Sequence, residues 1–153
     1  MSPTTSPIAA VRTIGAERER AFEFLSNLDN HWLLADRFVE VLDVDAAAAS
    51  TRNGNGRVRI KGPLGAGRTV ATRVLDVESP RRISGLAQVG RVTVAQVTWK
   101  LEHAERGVRV RLVAEVERAG TLDRLLLAAG GRRWLHARFE AVLARLDSVL
   151  RQG

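Results

Sequence analysis

The chain has 153 residues, 45% of them apolar, with 24 basic and 17 acidic side chains, a formal charge of +7 and no cysteine. This is the size and composition of one domain with a buried core, which excludes intrinsic disorder. Without cysteine there can be no disulfide, thiol catalysis or cysteine metal site, and a reduced, cytoplasmic setting is expected. No apolar run in the sequence approaches the ~20 residues that span a bilayer.

In chain order, Met1 to Pro7 is a polar tail without a basic-then-apolar signal. Residues 1–7 are expected to be disordered, and 8–153 to form a single domain. Ile8 to Ile14 is a β-branched run that predicts a strand. Glu17 to Leu28 predicts a helix with an apolar face of Ala21, Phe22, Phe24, Leu25 and Leu28. Asp29-Asn30 can stop that helix and cap a short second one, His31 to Ala35. Phe38 to Val44 predicts a strand, and Ala46 to Asn55 a loop ending in turn residues.

Five further strands are predicted. Arg57 to Lys61 alternates, with the charges on one face and Val58 and Ile60 on the other. The glycine-rich Gly62 to Gly67 reads as a hairpin loop; no Gly-Lys-Ser/Thr ending and no helix follow it, so it does not cradle phosphate. Thr69 to Val77, Ile83 to Val89, Val92 to Leu101 and Val108 to Val116 are the others, and Ser79-Pro80 separates the first two. In the last, Val108, Val110, Leu112, Ala114 and Val116 share one face, and Arg109, Arg111, Glu115 and Glu117 the other. One face packs inward and one meets water.

Thr121 is the expected N-cap of a long closing helix, Thr121 to Arg151. Its apolar stripe is Leu125, Leu135, Phe139, Val142, Leu146 and Leu150. Gly130-Gly131 interrupts it, at about 1 kcal/mol for each Gly against Ala, so a kink, a hinge or a close approach is expected there. One helix closing a run of strands implies a concave apolar sheet face that needs a lid, and hence a cavity.

The order strand, two helices, six strands, long helix resembles the helix-grip fold of the START and Bet v 1 (SRPBCC) superfamily, especially its bacterial polyketide cyclase/dehydrase-like branch. The resemblance runs through Phe22 to Trp32, through Ser79-Pro-Arg-Arg-Ile83, and through Val97 to Leu101 followed by Gly107 to Leu112. It implies an α+β fold in which a curved seven-stranded antiparallel sheet wraps a long C-terminal helix, with two short helices between the first two strands.

The candidate ligand-binding residues follow from the inward faces. Val97, Trp99 and Leu101 share a strand face, Val110, Leu112 and Ala114 lie on the last strand, and Leu135, Phe139 and Val142 on the closing helix. The resemblance adds Trp32 and Leu33 near the entrance. Ala71, Gly85, Ala87, Ala95 and Ala114 are small residues that would leave volume inside a bent sheet, and Gln96, Thr98 or Arg73 could give a polar contact.

His31, His103 and His136 carry no metal-site spacing and read as surface or interfacial histidines. No serine sits in a nucleophile elbow. No metal, cofactor or catalytic residue is assigned. The expected function is binding of a small lipophilic molecule, with transport or sequestration as its uses. Two alternatives are a cyclase or dehydratase using the same cavity, and an RNA, ribosome or protein contact through the basic strand faces. Nucleic acid is the lesser partner, since single-strand binders also need aromatic platforms among the charges. A homodimer is compatible with the sequence.

Overall fold

A computed structural model describes residues 7–34, 39–44, 55–61 and 67–152. The tail before Pro7, Phe38, and most of the two loops read at 46–55 and 62–67 lie outside these residues. The elements are β1 (Ile8–Ile14), α1 (Arg18–Leu25), α2 (Leu28–Leu34), β2 (Val39–Val44), β3 (Asn55–Lys61), β4 (Gly67–Glu78), β5 (Arg82–Val89), β6 (Thr93–Ala104), β7 (Gly107–Arg118), α3 (Thr121–Leu126) and α4 (Arg132–Gln152).

The strands make one curled antiparallel sheet in the order β1-β7-β6-β5-β4-β3-β2. Six of them, β1 and β3 to β7, form the half-barrel whose inner face can be described, and β2 pairs with β3 at its outer edge. Consecutive strands from β2 to β7 are neighbours, as short hairpins require. β1 instead joins β7, so the chain must cross the open side of the sheet between β1 and β2, and α1 and α2 are the segment that does so.

Two helix boundaries differ from the sequence reading. The helix predicted from Glu17 stops at Leu25, and the second begins at Leu28 rather than His31. The break has a local cause. Asn30 Nδ2 donates to the Phe24 carbonyl (2.8 Å), which a continuing helix would have given to a backbone N–H, while Ser26 Oγ shares the Phe22 carbonyl (2.8 Å) with its own helical N–H. At the other end of the chain, Gly120 rather than Thr121 holds the N-cap position, with no side-chain cap.

The long closing helix is divided. After α3, Leu127–Gly131 forms a single π-type turn in which Ala129 (φ −91°, ψ 25°) and Gly130 (φ 109°, ψ −4°) leave helical geometry. A side chain in the left-handed region costs about 1–2 kcal/mol, so glycine is the residue that fits. At Gly131 a Cβ would lie 2.5 Å from the Leu126 carbonyl oxygen. The glycine pair is therefore a built kink.

α4 then runs straight across the concave face, packing chiefly on β1 and also meeting β7 and α2. Val142, Leu143, Leu146 and Leu150 recur at helical spacing and are buried against Ile14, Leu25, Leu101, Val108 and Val110. Each fully buried side chain of this kind contributes about 1.5–3 kcal/mol.

Asp147, 4% exposed, is the charged member of that interface. Burial alone would raise its pKa. The hydrogen bond and charge of Arg151 (2.9 Å), the backbone N–H of Gly15 and the Arg12 guanidinium (3.4 Å) outweigh it and hold the carboxyl below its ordinary range. The ion pair ties α4 to β1.

Gly130→Ala is expected to lower stability by about 1–2 kcal/mol in urea unfolding, opposite in sign to the gain of an ordinary helical Gly→Ala change. Asp147→Asn is expected to cost about 1–3 kcal/mol at neutral pH. The parent's Asp147 contribution is complete above the ordinary carboxylate pKa and disappears as pH falls through the lowered folded value. The gap between parent and variant should therefore close in acid, and a gap independent of pH would show that the charge is not what matters.

Candidate functional site

Alternate residues of neighbouring strands meet on the inner face. The register sets Ile83, Trp99 and Leu112 side by side across β5, β6 and β7, and Gly85, Val97 and Ala114 in the next row. Thr72 and Ala87 pair one row further on, between β4 and β5. Small residues in the middle of this surface, Gly85 and Ala87, leave it hollow where α4 passes.

The result is a cavity of about 190 Å³. Val58 and Ile60 of β3 and Val70, Thr72 and Val74 of β4 form one side. Ile83, Gly85 and Ala87 of β5 and Val97 and Trp99 of β6 form its floor, with Leu112 of β7 at the margin. Leu135, Phe139 and Val142 of α4 roof it, and His31 of α2 closes it near Trp99.

Gly85 is fixed by a close approach. A Cβ there would stand 2.8 Å from the Arg73 carbonyl oxygen, at the place where the β4–β5 register shifts between Val74 and Asp76. The bulge brings backbone into the wall where a side chain would otherwise stand. Arg73 itself is exposed and Ala71 faces away from the interior with it. Gln96 and Thr98 bond to Ser84, at 2.9 and 3.3 Å, on the face opposite Val97 and Trp99.

His31, which reads from sequence as a surface or interfacial histidine, lies at the cavity. Its Nε2 donates to the Leu25 carbonyl (2.6 Å), and its ring lies 5.4 Å from that of Trp99 at 53°. A carbonyl can only accept, so Nε2 carries the proton and Nδ1 is the acceptor nitrogen. Burial lowers its pKa below the ordinary 6.5, against the opposing effect of the Leu25 hydrogen bond, and favours the neutral ring. The contact depends on the break at Ser26-Asn27, which turns α2 back toward the end of α1.

Of the eleven residues proposed from sequence, Val97, Trp99, Leu112, Leu135, Phe139 and Val142 line the cavity. Leu101, Val110 and Ala114 are buried in the core beside it. Leu33 is 46% exposed, and the Trp32 side chain lies outside the described residues. The walls from β3 and β4 were missed, although Val58, Ile60, Val70, Thr72 and Val74 carry the same two-residue period. Among the described residues no three His, Cys, Asp or Glu side chains gather as metal ligands, and no helix is long and apolar enough to cross a membrane.

Comparison with known proteins agrees with the geometry. The chain is similar in fold to the KanY protein (TM-score 0.75, 15% identity, covering 99% of each chain). It is also similar to TTHA0849 from Thermus thermophilus (TM-score 0.73, 19% identity, 96% of this chain and 98% of that one). Ms6760 from Mycobacterium smegmatis is a third (TM-score 0.72, 15% identity, 99% and 94%). No curated protein matches. The family model described as polyketide cyclase / dehydrase and lipid transport matches residues 7–151, and the chain, with its half-barrel and closing helix, belongs to that family.

Proposed function

We propose that the protein binds a small, compact, apolar molecule between the sheet and α4. The observation that carries this is the cavity itself, whose wall is apolar apart from His31, Thr72 and the backbone at Arg73 and Ser84. Binding would come from apolar burial, at about 25 cal/mol per Å² before the costs of association. An engineered cavity of about 150 Å³ holds one benzene ring. A volume of about 190 Å³ therefore suits a ligand of similar size, and a long acyl chain would need the roof to move.

His31 favours a second reading, in which the family's cyclase or dehydratase chemistry occurs in the same space. A neutral imidazole at a dry wall can take or give a proton near neutral pH. Binding is preferred because, among the described residues, no second titratable side chain of the wall completes an acid–base pair, Arg73 being exposed.

Ala87→Phe, which fills the cavity from its floor, is expected to weaken apolar ligands at least about tenfold while leaving stability equal or higher. Native mass spectrometry and thermal shift against an apolar panel would read it. Unchanged ligand binding would place the site elsewhere. His31→Gln separates the two readings: the same bound species recovered from parent and variant indicates binding, and chemically different species indicate turnover. The parent's His31 contribution is complete above pH 6.5 and declines as pH falls through the lowered folded value. His31→Gln should remove that part of the stability slope between neutral pH and mild acid.

A further inference from the structure

We propose that the α3 end of the molecule docks on an anionic membrane surface, with Leu122 and Leu125 as the inserting side chains. α3 buries none of its residues. Leu122 and Leu125 stand three apart, hence on one face, and are 56% and 62% exposed. Val92, in the turn between β5 and β6, is 49% exposed and adjoins α3, since a Cβ on Gly120 would lie 3.7 Å from the Val92 Cβ.

The helix is held with this face outward. Asp123, on its other side, accepts from Arg68 Nη2 of β4 (2.8 Å) and from the Thr93 hydroxyl of β6. Thr93 Oγ1 in turn accepts from the Gly120 N–H (3.1 Å). A polar anchor thus does for α3 what apolar burial does for α4, and the leucines are left in water without packing partners that would explain them.

The charge around them indicates the partner. Arg91, Arg118, Arg124 and Arg133 are exposed, and Arg118 Nε donates to the Val92 carbonyl (3.1 Å) within the patch. Asp123, already engaged by Arg68, is the only acid between Arg118 and Arg138. Exposed leucines among arginines match the interface of an anionic bilayer, where acyl chains take the apolar side chains and headgroups the cations. A second copy of the chain would set arginine against arginine across a two-fold axis. A nucleic acid would gain nothing from leucines, having no ring on α3 to stack on. The inference does not depend on what the cavity holds.

The test is flotation of the full chain with vesicles of phosphatidylcholine, alone or mixed with phosphatidylglycerol. Binding to the mixed vesicles only, weakened by salt, is expected. Leu122→Ser with Leu125→Ser should reduce it at least about tenfold, with unchanged thermal unfolding because both side chains are exposed. Arg124→Glu with Arg133→Glu should reduce it by a similar factor. Equal binding to both vesicles, or wild-type binding by the leucine variant, overturns the proposal. So does a concentration-dependent dimer, without vesicle binding, that the leucine variant loses, because the face would then join two copies.

Discussion

A single helix has to cover the inner face of a curled sheet, and it cannot fill it. A helix with its side chains is about 10–12 Å across, whereas the concave face spans the strands from β1 to β3. α4 resolves this by packing tightly at one end only. Its C-terminal half, Leu143 to Leu150, is buried against β1 and the ends of β6 and β7, and its N-terminal half, Leu135 to Val142, passes over Gly85 and Ala87 at a distance. Core and cavity are therefore two lengths of the same interface. What distinguishes them is the size of the facing side chains: Leu101, Val108 and Val110 in one, Gly85 and Ala87 in the other.

Two carboxylates hold this arrangement in place. Asp147 joins α4 to Arg12 of β1, and Asp123 joins α3 to Arg68 of β4. The segment between them contains the Gly130 kink and all the roof residues. A continuous helix from Thr121 could not satisfy both anchors unless the sheet met it along one line. The kink frees α3 to follow the strand ends while α4 follows the core. The exposed leucines of α3 are a consequence, because an element fixed by a polar anchor has no need to bury its apolar side.

Much of this was legible in the sequence because it rests on periodicity. The alternation of β6 and β7 and the helical stripe of α4 gave the inward faces, and with them six of the cavity residues. Val58 and Ile60 were assigned to one face from the same kind of pattern, but a strand pattern does not say which sheet position it occupies or that β3 curls far enough to meet α4. Leu101 and Val110 share faces with Trp99 and Leu112, and only the depth of α4 along the strand separates core from cavity. His31 had no signal, since its position comes from Ser26 and Asn30 bonding to α1 carbonyls, a local competition that composition does not reveal. Gly130-Gly131 was legible as an anomaly, and its cause needed backbone angles.

The wall chemistry limits what can enter, whether the protein binds or transforms it. An ion leaving water for an apolar wall loses several kcal/mol unless paired and hydrogen-bonded there. Among the described residues the arginines of the sheet lie elsewhere: Arg57, Arg59, Arg109 and Arg111 are exposed on the outer face, and Arg73 is exposed beside the bulge whose backbone reaches the wall. Inside, burial favours the neutral form of His31, and Thr72 offers a hydroxyl without charge. On the proposed reading the cavity would discriminate first by charge and only then by shape. An uncharged ring with one polar atom meets no penalty that His31 or a hydroxyl cannot offset, whereas a carboxylate or an ammonium does. The excess of positive charge, conspicuous in the sequence, lies among the described residues on the outside of the molecule, and the proposed ligand class rests on its near absence from their inner face.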